Sequence, residues 1–86
     1  MRVLIPSALR SYTDHGMWAQ AEGATLDALL KDLDRRHPGI RFRMVDEQDR
    51  LRPHMRVFVN GLAIKDLAHP IAPGDEVAVV QALSGG

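Results

Sequence analysis

One stretch, EGATLDALLKDLDRRHPGI (residues 22–40), limits the fold more than any other. Leu26, Leu29, Leu30 and Leu33 recur at i, i+3, i+4 and i+7, one apolar stripe on a helix, while Lys31, Asp32, Asp34 and Arg35 fall mostly off it. Thr25 is placed to cap the N-terminus, and Asp27 lies in the positive first turn. Arg35, Arg36 and His37 suit the negative end, and Pro38-Gly39 stop the helix. No other segment has this periodicity. One helix can cover only one face of one sheet, so the remaining chain must supply that sheet.

The flanking segments read as strands. Val3, Leu4 and Ile5 form a short one that Pro6 ends, and SALRSYTDHG after it reads as turns. MWAQA (residues 17–21) is a weak second strand. RFRMVDEQDRLRPH reads as a long polar connection with a short strand near its start. Val57, Phe58 and Val59 form a strand, Asn60-Gly61 a tight turn, and LAIKDL the short return. Pro70, Pro73 and Gly74 mark another turn region, and EVAVVQAL (residues 76–83) is the best strand in the chain. The order β-β-α-β-β-β, with the last strand central by its hydrophobicity, predicts an α+β two-layer domain over residues 1–82. Residues 83–86 would follow as a flexible tail.

Composition removes many functions. Eleven basic and eleven acidic residues balance to a formal net charge of zero, which gives no overall attraction to nucleic acid or to an anionic membrane. No apolar run approaches the ~20 residues of a membrane span, and the apolar opening is too short for a signal peptide, so a cytoplasmic location is expected. The chain has no cysteine, so disulfides, Cys-ligated metals and thiol nucleophiles are excluded. His15, His37, His54 and His69 lack metal-ligand spacing and read as surface or turn residues, so no metal site is expected. Ser7, Ser11 and Ser84 sit in no nucleophile motif, and Asp46, Glu47 and Asp49 read as a solvated charged loop, so no catalytic residue is assigned. Residues 35–56 carry seven arginines (Arg35, Arg36, Arg41, Arg43, Arg50, Arg52, Arg56) against three acids, which reads as a solvated or protein-docking face before a nucleic-acid site.

The sequence closes on Leu83-Ser84-Gly85-Gly86, directly after the predicted last strand. Frayed ends are common. Here, however, the strand holds the carboxylate at a set distance from the domain. Glycine has no Cβ, so such a backbone can enter a narrow channel and approach a partner's active site closely.

Taken together, VLIPSALR, TLDALLKDL, VFVNG and PIAPGDEVAVVQALSGG resemble the ThiS/MoaD family of ubiquitin-like sulfur carriers over essentially the full length. The resemblance implies a ubiquitin-like β-grasp fold, a mixed sheet of four to five strands with one main helix on one face. It implies a protein that is a substrate and not an enzyme. An E1-like adenylyltransferase/sulfurtransferase would use ATP to activate the carboxylate of Gly86. A sulfur donor would then leave a thiocarboxylate there, with Gly85 giving the slender approach. No cofactor would stay bound. A sulfur-accepting synthase would take the sulfur, either a cysteine synthase-like enzyme or the large subunit of molybdopterin synthase; thiamine and siderophore pathways stay open. IPSALR and the long DEQDRLRPH connection lean toward the cysteine-forming carriers. Partner docking would use an apolar patch of Pro6, Phe58 and Val80 near the tail, with Leu83 and Ser84. Alternation sets Phe58 opposite Val57 and Val59, and which set lies under the helix stays open at this point. A β-grasp interaction domain that makes no chemical use of its C-terminus is the alternative.

Overall fold

A computed structural model describes residues 1–82. Five strands form one mixed sheet in the order β2-β1-β5-β3-β4: β1 Arg2–Leu4, β2 Trp18–Gln20, β3 Met55–Val59, β4 Leu62–Ile64 and β5 Val77–Gln81. β5 is central, as its β-branched composition predicts. It runs parallel to β1 and antiparallel to β3. The main helix, α1 (Leu26–Arg36), crosses one face. Its stripe of Leu26, Leu29, Leu30 and Leu33 is fully buried against Val3, Val57, Val59, Val77 and Val79. The Thr25 hydroxyl accepts from the Ala28 amide at 3.1 Å and caps the helix.

Two expectations are corrected. The segment read as a polar connection with a short strand contains a second helix, α2, over Ile40–Met44. Gly39, at φ 98, redirects the chain, and Asp34 accepts from the amides of Gly39 and Arg41 at 3.0 and 3.1 Å. Ile40 and Met44 then enter the core one turn apart, fully buried. Within the stretch read as turns, Ser7–Thr13 is a 3₁₀ helix that ends in left-handed residues, Asp14 and His15. Leu9 and Thr13 are its buried side chains.

Asp32 ties the β2–α1 connection to the helix. It accepts from the Glu22 amide at 2.8 Å and pairs with Arg35 and Arg36. The Glu22 amide, then the arginines, hold its carboxyl at about 2 against an ordinary 3.8. Asp27 beside Lys31 and Arg41, Asp46 on the Arg50 and Gln48 amides, and Asp75 on the Ala72 amide are shifted in the same direction. Depressed carboxyls stabilise the fold above their unfolded values and lose that contribution as pH falls through their folded values. For Asp32 the window runs from 3.8 down to about 2. The thermal midpoint is therefore expected to stay level near neutral pH and fall through this window. Asp32→Asn should lower the neutral plateau and flatten the acid limb. Parallel wild-type and variant curves would refute the linkage.

Candidate functional site

Strand alternation leaves one sheet face open. Val57, Val59, Val77 and Val79 point under the helices, so Phe58, Ala78 and Val80 point away from them. This settles the orientation that alternation alone left open. Pairing then aligns the outward residues. Trp18 faces Leu4, Leu4 faces Ala78, Ala78 faces Phe58, and Phe58 faces Ala63. One apolar row crosses all five strands on the uncovered face. Leu4, Trp18, Phe58 and Ala78 of this row line a concavity of about 500 Å³ that also takes in Asp75 and Glu76. The Arg2 guanidinium stacks 4.1 Å above the Trp18 ring, so the indole keeps its apolar face covered although the residue is 44% exposed.

A second row lies nearer the end of β5. Val80 faces Arg56, and Pro6 stands two residues beyond Leu4 as Val80 stands two beyond its partner Ala78. Pro6 and Phe58 are half-buried and Val80 is exposed. The three predicted docking residues thus meet on one face. Leu4, Trp18, Ala63 and Ala78 join them there. The sequence missed these four because their membership depends on strand register. The signal within reach was the alternation of Val3 and Leu4. Leu83, Ser84, Gly85 and Gly86 lie outside the described residues.

The start and end of β5 are both anchored. Asn60 and Gly61 take φ 52 and 81, the geometry of a two-residue hairpin turn. The Asn60 side chain donates to Asp75 at 3.0 Å and accepts from the Glu76 amide at 2.9 Å. Asp75 also accepts from the Ala72 amide at 2.8 Å. The β3–β4 turn and the PGDE turn therefore lock together and set where β5 begins. At the other end the Ala82 amide donates to the His54 carbonyl at 2.8 Å, so the chain is held to β3 through Ala82.

The remaining candidates separate. His15 follows the C-cap of the 3₁₀ helix, His37 caps α1, and the carbonyls of His54 and His69 accept from Ala82 and Leu26. Among the described residues no three His, Asp or Glu side chains converge on a metal position. Ser7 and Ser11 are exposed on the 3₁₀ helix. Asp46 accepts from the amides of Gln48 and Arg50, and Asp49 bonds Arg41, so both organise a loop. No described helix is long and apolar enough to cross a membrane.

A mixed sheet with a parallel β1–β5 pair at its centre and one long helix across one face is the β-grasp arrangement of ubiquitin-like proteins. The sequence pattern of the ThiS family matches residues 3–86, and this chain belongs to that family. The sulfur carrier protein CysO of Mycobacterium tuberculosis (strain H37Rv) is 34% identical over 89 residues, covering 98% of this chain and 96% of the relative. A chain in the crystal structure of the Amycolatopsis orientalis BexX/CysO complex superposes with a TM-score of 0.90 at 32% identity, over 99% of this chain and 98% of that one. SAMP1 from Haloferax volcanii superposes at 0.78 with 28% identity, over 100% of this chain and 98% of that one.

Proposed function

We propose that this protein is a sulfur carrier whose C-terminal carboxylate, on Gly86, is adenylated by an E1-like enzyme and converted to a thiocarboxylate. The observation that carries the reading is the full-length relation to the sulfur carrier protein CysO. The chemistry agrees with the composition. With no cysteine in the chain, no side-chain thiol is present to carry sulfur, and the backbone carboxylate is left. A carboxylate is a poor electrophile. Attack of its oxygen on the α-phosphorus of ATP releases pyrophosphate and creates an acyl adenylate. A sulfur nucleophile from the donor then displaces AMP, which carries one carboxylate oxygen away. The carrier performs no step itself, and ATP belongs to its partner. Reliance on ATP suits a cytoplasmic protein.

The similarity to CysO supports cysteine biosynthesis as the destination of the sulfur, with a cysteine synthase-like enzyme as acceptor. The second row, Pro6 and Val80 with Phe58 behind them, lies near the end of β5 on the uncovered face, and with Leu83 and Ser84 it would seat the partner. An uncovered apolar row on a small domain is suited to a protein interface.

The test is the intact mass after incubation with ATP, a sulfur donor and the cognate E1-like enzyme. A gain equal to one oxygen exchanged for sulfur is expected. An unchanged mass, with the enzyme shown active on another carrier, would leave a β-grasp interaction domain.

A further inference from the structure

The seven arginines of residues 35–56 look like one basic run along the chain, but the fold separates them. Arg35 and Arg36 pair with Asp32, Arg41 with Asp27 and Asp49, and Arg50 bonds Gln48. Among the described residues, Arg43, Arg50, Arg52 and Arg56 have no carboxylate within ion-pair distance. Arg43, Arg52 and Arg56 surround the end of β5. Arg43, Arg52 and His54 line a groove of about 410 Å³ together with Phe42 and Gln81. Arg56 faces Val80 across the neighbouring strand pair, one residue from Gln81. Ala82 leaves the sheet bonded to His54 between them.

The groove is built, and not only charged. Arg52 donates from Nε to the Phe42 carbonyl at 2.8 Å, and its guanidinium lies 4.7 Å from the centre of the Phe42 ring. Both contacts hold the cation in place before any partner arrives, which reduces the ordering cost of binding. Phe42 is 57% exposed on α2, a helix whose Ile40 and Met44 are fully buried, so the ring is presented on a fixed support. A fixed aromatic beside a preorganised arginine is the composition of an interface anchor.

We infer that the Phe42–Arg43–Arg52 groove, with Arg56 on the opposite side of β5, is a landing surface for acidic side chains rimming the channel through which the adenylating enzyme receives the C-terminus. The inference rests on the carrier reading and adds a second contact to it: the groove lies on the helix side of β5, and Arg56 flanks Val80 on the uncovered face. Charge decides the occupant. Among the described residues the cations near the strand end make no direct ion pair, with Asp46 acting on Arg52 only from beyond ion-pair distance, whereas the chain as a whole is neutral. A carboxylate-rich protein rim matches such a confined patch. A nucleic acid needs a longer basic track to gain from counterion release. Opposed charges around the tail would steer the encounter and set its register before the apolar row engages.

The test compares rates of thiocarboxylate formation, followed by intact mass, for the wild type, Arg43→Glu, and Arg43→Glu/Arg52→Glu. Lys31→Glu, on the exposed side of α1, makes the same charge change as Arg43→Glu away from the groove. The double variant is expected to load roughly tenfold more slowly at low ionic strength, with the gap closing in high salt. Arg43→Glu, at a side chain that makes no hydrogen bond among the described residues, should show a smaller loss of the same salt-sensitive kind. That variant keeps the test valid if replacing Arg52 disturbs α2. Lys31→Glu should load normally. Wild-type rates in both groove variants would overturn this inference and leave the carrier reading standing. Salt-sensitive binding of a DNA duplex or RNA hairpin through these arginines, with loading unaffected, would also overturn it. A wild type that takes no sulfur would overturn both.

Discussion

Gly86→Ala is expected to reduce sulfur loading to background while leaving the melting curve unchanged. In the proposed reaction the reacting carbon belongs to the last residue, so any Cβ there would sit beside it inside the enzyme's channel, where two successive attacks must be lined up. A displacement of about 1 Å at a reacting atom costs on the order of 100-fold in rate. Deleting Gly86 should act through a different route to the same result. The new carboxylate, on Gly85, falls short by about 3.5 Å, one extended residue. Among the described residues the buried core runs from Val3 to Val79, well before Gly86, so neither change should move the thermal midpoint. Intact mass reads the loading and circular dichroism the fold. Normal loading of either variant would remove the carboxylate of Gly86 from the chemistry and with it the proposed function.

Gly23→Ala is expected to be the most damaging small substitution in the domain. A Cβ at Gly23 would lie 2.6 Å from the carbonyl carbon of Ala28 and 2.7 Å from the Cα of Leu29, and nearer still to the Leu29 amide nitrogen. All three are backbone atoms of the first turns of α1. That helix has little room to retreat. Leu26, Leu29, Leu30 and Leu33 fill the core, and the amides of Leu26 and Asp27 are bonded to the carbonyls of His69 and Leu67 at 2.9 and 2.8 Å. Overpacking against such a support costs about 3 kcal/mol or more. In a domain of this size that lowers the thermal midpoint by on the order of 15 °C. Gly61→Ala is the comparison. Gly61 has φ 81 but open space where a Cβ would go. It should cost only the left-handed strain, about 1 kcal/mol. Equal losses for the two variants would show that the close approach of Gly23 to the helix does not limit stability.

The same contrast separates what was legible in the chain from what was not. The leucine stripe, the Thr25 cap, the Asn60-Gly61 turn and the central β5 were readable because each depends on neighbours a few residues away. α2 was misread for a local reason. Ile40, Phe42 and Met44 alternate with Arg41 and Arg43, which imitates a strand, and five residues cannot sustain a helix without tertiary support. Only burial of Ile40 and Met44 against the core makes the helical arrangement the better one. Gly23 gave no sign of its role, because the backbone it touches lies across a turn whose path local sequence does not define.

The candidate site divides along the same line. The diglycine, the missing thiol and the resemblance to a carrier family belong to covalent composition and order, which the sequence contains in full. It also determined that one helix would cover one sheet. It did not determine which of Phe58 and its neighbours Val57 and Val59 would be left uncovered, because alternation specifies two faces without saying which the helix takes. Packing chose, since the valines at positions 57, 59, 77 and 79 pack under α1 while Phe58 joins the outward row. Nor could it tell which of the arginines Asp27, Asp32 and Asp49 would hold and which would gather around the end of β5. Ion pairs form between groups that folding brings within a few ångströms, and only the tertiary structure decides which groups those are.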